Sequence, residues 1–257
     1  AGAIPGILLG VCLMVLCFFM ANHYNFPKGA KIPRDQWGKI IINAILPLMT
    51  LVIIMVGTGA GVFTATESAA IACVYTFILA YIIFRSAKIR DIGGVLKNAL
   101  RTLAIVMALI ACAKAFAYMM TELRVPAMVT NLLLSITDNR IILLLIINVL
   151  LMLLGCFMDM APLIMIMTPI LLPVVTSPVI GMDPIHFGVV MIFNLALGLC
   201  TPPVGSALFV GCAVGKTTIE SKAKKRLHIF SVMVVALWLV TFIPQITMWL
   251  PKVLFGN

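Results

Sequence analysis

The stretch "NLALGLCTPPVGSALFVG", residues 194–211, sets Pro202 and Pro203 between Gly198 and Gly205 inside a run apolar enough to cross a bilayer. Two consecutive imino acids withhold two backbone N–H groups, so the carbonyls of Gly198 and Leu199 lose their helical partners and the helix must break. A second half-helix starting near Val204 presents unpaired N–H groups at Val204, Gly205 and Ser206. Its positive end favours an anion, while freed carbonyls favour a cation. Within hydrocarbon such groups are tolerated only where protein or a water-filled cavity satisfies them, which marks the break as a candidate binding site. A proline kink repaired by a neighbouring hydroxyl such as Thr201 is the alternative.

A second irregular segment, "LLGCFMDMAPLIMIMTP" at residues 153–169, interrupts another apolar run with Gly155, Asp159 and Pro162. From Ile141 to Gly215 there is no Lys or Arg, so this segment lacks the basic residues that mark cytoplasmic loops between full spans. A re-entrant hairpin entering from the outer side fits better, with arms at about 139–155 and 163–178 and Pro162 near the start of the second arm. Asp159 at its tip has two compatible readings, N-cap of the second arm and ligand to a cation.

Other polar residues carry weaker signals. "TATE", Thr64 to Glu67, matches a capping box at the entry of a helix, with a transport role for Glu67 as the second reading. Lys114 lies deep in an apolar run and is expected to face a wet cavity or to pair with Glu122 or Glu67. His186 in "GMDPIHFG" is expected to be an interfacial residue at the outer mouth of the broken helix. The seven cysteines, Cys12, Cys17, Cys73, Cys112, Cys156, Cys200 and Cys212, lie in apolar runs with no CxxC pair and read as small buried hydrophobes. The sequence has no P-loop, HExxH, GxSxG or dinucleotide fingerprint, so ATP hydrolysis by this chain is not expected.

The elements that position these residues follow from composition. With 63% hydrophobic and 10% charged residues and a mean hydropathy of +1.20, the chain belongs in a lipid bilayer. Runs long enough to span occur at about 3–21, 41–57, 67–84, 102–121, 185–214 and 229–250, and 139–178 supplies the hairpin. The expected fold is therefore an all-α integral membrane protein of about six spanning helices, one re-entrant hairpin and one proline-broken helix. Basic residues concentrate at 22–40, 85–101 and 216–228, which places these loops in the cytoplasm and both chain ends outside, in the periplasm of a Gram-negative host. The net charge of +10 thus reports topology and not a nucleic-acid partner. The segment 85–101 reads as an amphipathic helix on the inner membrane surface.

Four stretches together, "AGAIPGILLG", "FTATESAAIA", "GCFMDMAPLIMIMTPILLPV" and "GMDPIHFGVVMIFNLALGLCTPPVG", resemble the large membrane subunit of the tripartite ATP-independent periplasmic (TRAP) transporters. The resemblance covers essentially the whole chain. It looks like the C-terminal portion of that subunit, the second of two inverted repeats, with the first repeat's hairpin and Pro-Pro break absent. The resemblance implies an elevator-type secondary transporter in the bacterial inner membrane, driven by Na⁺ and with no organic cofactor. It further implies a carboxylate substrate delivered by a soluble periplasmic binding protein, and a small membrane subunit as partner.

Residues 1–138 would then be mainly scaffold, 139–215 the transport elements, and 216–257 a basic cytoplasmic loop and final span. The implied cation and substrate residues are Gly155, Asp159 and Pro162 at the tip, with Asn194, Gly198, Thr201, Pro202, Pro203 and Gly205 at the break. Na⁺ would meet backbone carbonyls near Gly198, Leu199 and Asp159. Two other readings are a carboxylate or ion transporter of a related inverted-repeat family that needs no binding protein, and a membrane enzyme or scaffold subunit without a transport path of its own.

Overall fold

The computed structural model describes residues 1–23, 37–86, 88–201, 205, 207–208, 211–212 and 223–256. Among them every regular element is helical, as expected from runs that must satisfy their backbone groups internally in lipid. The helices are α1 Ala3–His23, α2 Trp37–Gly59, α3 Ala65–Ile78, α4 Ile92–Glu122, α5 Val125–Ile136, α6 Arg140–Phe157, α7 Met160–Val175, α8 Pro184–Gly198, α9 Ala223–Phe242 and α10 Pro244–Phe255. Among the described residues five stretches are long and apolar enough to cross a membrane, and a sixth is the α9–α10 pair taken as one bent span.

Two compact units divide the chain. In the first, Pro27–Ile105, α2 and α3 pack as a hairpin. The hydroxyl of Tyr75 on α3 donates to the Leu46 carbonyl of α2 at 2.9 Å. The turn between them passes through Gly61 at φ +69°, a conformation that glycine adopts without Cβ strain. The capping box expected at 64–67 is formed: the Glu67 amide donates to the Thr64 hydroxyl, and the Thr64 amide donates to the Glu67 carboxylate at 2.8 Å. A π-helical turn, Leu79–Ile83, continues α3.

The segment 85–101 departs from its expected form. It is not a separate surface helix: after a 3₁₀ turn at Ile89–Asp91, helix α4 starts at Ile92 and runs unbroken for 31 residues. That is about 46 Å at 1.5 Å per residue, well beyond the roughly 30 Å hydrocarbon core. The basic residues 97 and 101 therefore belong to the end of a long helix instead of an independent element.

The second unit, Ala1–Phe26 with Val106–Asn257, contains the core. Its apolar centre is formed by Leu143 and Leu151 of α6, Leu163 and Leu171 of α7, Leu195 of α8 and Leu237 of α9, all essentially inaccessible. The two hairpin arms appear as α6 and α7, joined at Met158–Asp159, close to their expected bounds. Helix α5 was not expected. It begins at Val125 with Pro126 in its first turn, where a missing N–H costs nothing, and its 12 residues are too short to span. The final run is also not one straight span, because α9 and α10 meet at Ile243–Pro244 with a bend of 59°. Pro244 cannot donate to a continuing helix, and it opens α10 instead.

Candidate functional site

Helix α6 packs more extensively against α8 than against its hairpin partner α7. Asn148 meets Asn194, and Gly155 meets Gly198, so the two helices run parallel and both C-terminal ends arrive at the same place. The approach there is backbone on backbone. A Cβ on Gly198 would sit 2.7 Å from the carbonyl carbon of Gly155 and 2.8 Å from its Cα. Only glycine fits at this position. A Cβ on Gly155 would come within 3.3 Å of the Gly198 Cα, a milder conflict.

The helix break is where the prolines require it. Helix α8 ends at Gly198, and Leu199, Cys200 and Thr201 turn away through short-range bonds, among them Thr201 N–H to the Gly198 carbonyl at 2.9 Å. The Thr201 hydroxyl also donates to the Gly198 carbonyl at 2.6 Å. Local repair by Thr201 therefore does occur, and it occupies the Gly198 carbonyl. The carbonyls of Leu199 and Thr201 converge instead on Gly205, whose Cβ, if it had one, would lie 2.7 Å and 2.5 Å from the two oxygens. The Gly205 amide donates to the Thr201 carbonyl at 3.1 Å. Pro202, Pro203, Val204 and Ser206 lie outside the described residues.

The hairpin tip meets the break directly. The Thr201 hydroxyl lies in hydrogen-bond contact with the Cys156 thiol, one residue beyond Gly155, and each group is also within donating distance of a carbonyl in its own helix or turn, Gly198 for Thr201 and Met152 for Cys156. Asp159 is the N-cap residue of α7, but its side chain makes no capping bond and is exposed. The capping role expected of its carboxylate is therefore not realised, and the carboxylate remains available to a ligand. Pro162 is buried in the first turn of α7, where its missing N–H is harmless.

One turn before the crossing, a buried polar relay ties three helices together. The Asn194 amide nitrogen donates to the backbone and side-chain oxygens of Asn148 at 2.9 and 2.8 Å. Asn148 donates to the Thr241 hydroxyl of α9 at 3.3 Å, and Thr241 donates to the Leu237 carbonyl. The Asn194 Oδ1, fully buried, has no donor among the described residues. Sequence reasoning identified Asn194 but missed Asn148, Cys156 and Thr241. The available signal was a lone amide, Asn148, inside "RIILLLIINVLLMLLGCF".

Chemically, the convergence favours a cation. Two helices present their negative ends at one point, two carbonyls face a residue without a side chain, and a carboxylate stands uncommitted at the adjacent turn. The first turn of α7, with free N–H groups at Met160 and Ala161, brings a positive helix end to the same turn and suits a carboxylate ligand.

Three other expectations are corrected. His186 is not an interfacial side chain; it is 1% exposed and its Nε2 bonds the Val240 carbonyl at 2.9 Å, because Asp183 caps the first turn of α8 and turns the ring inward. Lys114 is exposed, and within its own unit it makes no ion pair among the described residues, so Glu122 does not hold it. None of the cysteines is buried: Cys17, Cys73 and Cys112 are exposed and the other four are intermediate. A small apolar thiol suits a lipid-facing surface as well as a core.

Residues 1–246 match the family described as "Tripartite ATP-independent periplasmic transporter, DctM component". The uncharacterized protein YgiK of Salmonella typhimurium is 38% identical over 98% of this chain and 57% of its own length. The sialic acid TRAP transporter large permease protein SiaM of Vibrio cholerae is 34% identical over 100% of this chain and 60% of its own. The C4-dicarboxylate TRAP transporter large permease protein DctM of Pseudomonas aeruginosa is 33% identical over 98% of this chain and 58% of its own. The chain thus spans about 57–60% of the length of these relatives. Its helical membrane architecture and a family match over nearly its full length lead to one conclusion: this chain belongs to the DctM family of TRAP transporter large permeases.

Proposed function

We propose that this chain carries one half of the ion and substrate pathway of a sodium-driven carboxylate uptake system. In this reading the crossing of α6 and α8, the turn at Asp159 and the break after Gly198 form a site. Carbonyls of Leu199 and Thr201, with Asp159, hold Na⁺; the N–H groups opening α7 meet the substrate carboxylate. The observation that supports it best is the backbone contact of Gly155 with Gly198, which brings two negative helix ends beside carbonyls turned out of a helix.

The names of two relatives refer to sialic acid and C4-dicarboxylates, and both contain carboxylates, in keeping with an anionic substrate. The proposed setting is a bacterial inner membrane with both chain ends in the periplasm. The proposed partners are a small membrane subunit and a soluble periplasmic binding protein, and transport proceeds by elevator-type movement of residues 139–215 against the scaffold.

The test is uptake of a radiolabelled carboxylate into vesicles containing the reconstituted permease, with its small subunit. Uptake should require an inward sodium gradient and the binding protein. Uptake of equal rate in potassium medium would overturn sodium coupling. Sodium-driven uptake without the binding protein would favour a binding-protein-independent transporter.

A further inference from the structure

At the other end of α8 lies a cavity of about 350 Å³ that the proposed transport site does not use. Its walls include Arg140, Asp183, His186, Gln245, Trp249 and Lys252. His186 is twelve residues from Gly198, about 18 Å along a helix, so the cavity is separate from the crossing. Its volume falls within the roughly 300–1,000 Å³ of small-ligand sites.

The charge in the cavity wall is net positive, two cations, Arg140 and Lys252, against the single carboxylate of Asp183. Arg140 opens α6, Asp183 caps α8 and Pro244 opens α10, so three helices point their positive ends at it. The Asp183 carboxylate is spent on the amides of Ile185 and His186, at 2.8 and 3.3 Å. Neither Arg140 nor Lys252 forms an ion pair among the described residues. Helix α10 has no side-chain cap, and Gln245 at its start adds an amide donor. The Nε2 of His186 on the cavity floor is already committed to the Val240 carbonyl, so the cations and Gln245 remain for a ligand.

The rim carries an exposed aromatic side chain. Trp249 is 58% exposed, and Val253 and Ile185 beside it are exposed to a similar degree. A tryptophan and aliphatic side chains around a basic pocket at helix ends are the arrangement found at headgroup level.

We propose that this cavity binds a phosphate group, presented by the headgroup of an anionic membrane lipid, with the guanidinium of Arg140 and the ammonium of Lys252 as its counter-ions. The lipid glycerol lies against Trp249, and the acyl chains run along the exposed side of α10. The proposal does not depend on sodium coupling or on the substrate assigned to the transport site.

The experiment uses the purified, delipidated permease in neutral detergent, reading the fluorescence of Trp249 as the difference between the protein and its W249F variant. Dihexanoyl phosphatidylglycerol, inorganic phosphate and dihexanoylglycerol are titrated in separate arms. The expected result is saturable binding of the phosphatidylglycerol, weakened at least tenfold in R140Q/K252Q and retained in R140K. Weaker binding of inorganic phosphate through the same residues assigns the lipid as the source, and equal binding assigns the free ion, both of which uphold the phosphate site. Equal response to dihexanoylglycerol, or titrations unchanged in R140Q/K252Q, would overturn it. Native mass spectrometry of lipid retained by R140Q/K252Q, against the unsubstituted protein, provides the second reading should the double variant lose fluorescence contrast.

Discussion

Replacing Gly198 by Ala probes the crossing at its tightest point. The added Cβ would stand 2.7 Å from the Gly155 carbonyl carbon and 3.0 Å from its oxygen, whereas carbon atoms prefer about 3.5–4.0 Å. Backbone cannot swing aside as a side chain can, so α6 and α8 must separate by roughly 1 Å. The Asn194–Asn148 bonds, now 2.8–2.9 Å and one turn away, would then stretch past the limit of a useful hydrogen bond. Overpacking of this kind costs about 1–3 kcal/mol. At roughly 2–4 °C per kcal/mol for a chain of this size, Tm in detergent falls by several degrees.

Gly155→Ala is the internal control. Its Cβ meets Gly198 and Leu195 at 3.3–3.4 Å, a conflict of a few tenths of an ångström. In a helix interior, Ala also regains up to about 1 kcal/mol relative to Gly. The two effects nearly cancel, so G155A should unfold close to the unsubstituted protein while G198A does not. Sodium-driven uptake in vesicles, normalised to inserted protein, should drop more than tenfold in G198A and only a few-fold in G155A. Equal Tm and equal uptake for the two variants, or a larger defect in G155A, would refute the packing geometry.

Three further outcomes follow from named contacts. Asn148→Ala strips the buried Asn194 amide and the Thr241 hydroxyl of their partner, so stability should fall by about 1–3 kcal/mol in a denaturant or thermal titration, and Asn148→Asp should recover little of it. Thr201→Val keeps the shape but removes the donor to Gly198 and the hydroxyl contact with Cys156; uptake should fall at least tenfold, with Thr201→Ser close to unsubstituted, and equal rates in both would show that the hydroxyl is dispensable. Thr64→Ala removes the capping box of α3 at a cost of about 0.5–2 kcal/mol, seen as faster hydrogen exchange in its first turn, while uptake per folded molecule stays the same.

Much of this arrangement is legible in the sequence because it is encoded locally. The Thr64–Glu67 box depends on four consecutive residues, and the arms 140–157 and 160–175 follow from apolar runs split by Asp159 and Pro162. The end of α8 at Gly198 follows from the two imino acids after it. Features decided by partners distant in sequence were not legible. That α6 pairs mainly with α8, parallel and glycine on glycine, depends on shape complementarity across more than forty residues, as does the relay through Asn148 to Thr241. His186 next to a charged residue reads as surface, and only the Val240 carbonyl, 54 residues away, makes its burial favourable. The bend before α10 was available from Pro244 alone, yet hydropathy averages over it.

The central claim is that the helix stops after Gly198 to leave backbone oxygens for a cation beside the turn at Asp159. A cryo-electron microscopy map of the permease in sodium, paired with one in potassium, tests it most directly. The account predicts a chain that leaves the helix between residues 198 and 201, with sodium-dependent density among the oxygens of Leu199, Thr201 and Asp159. An uninterrupted helix through residue 206, or maps identical in the two salts with no density at that point, would contradict it.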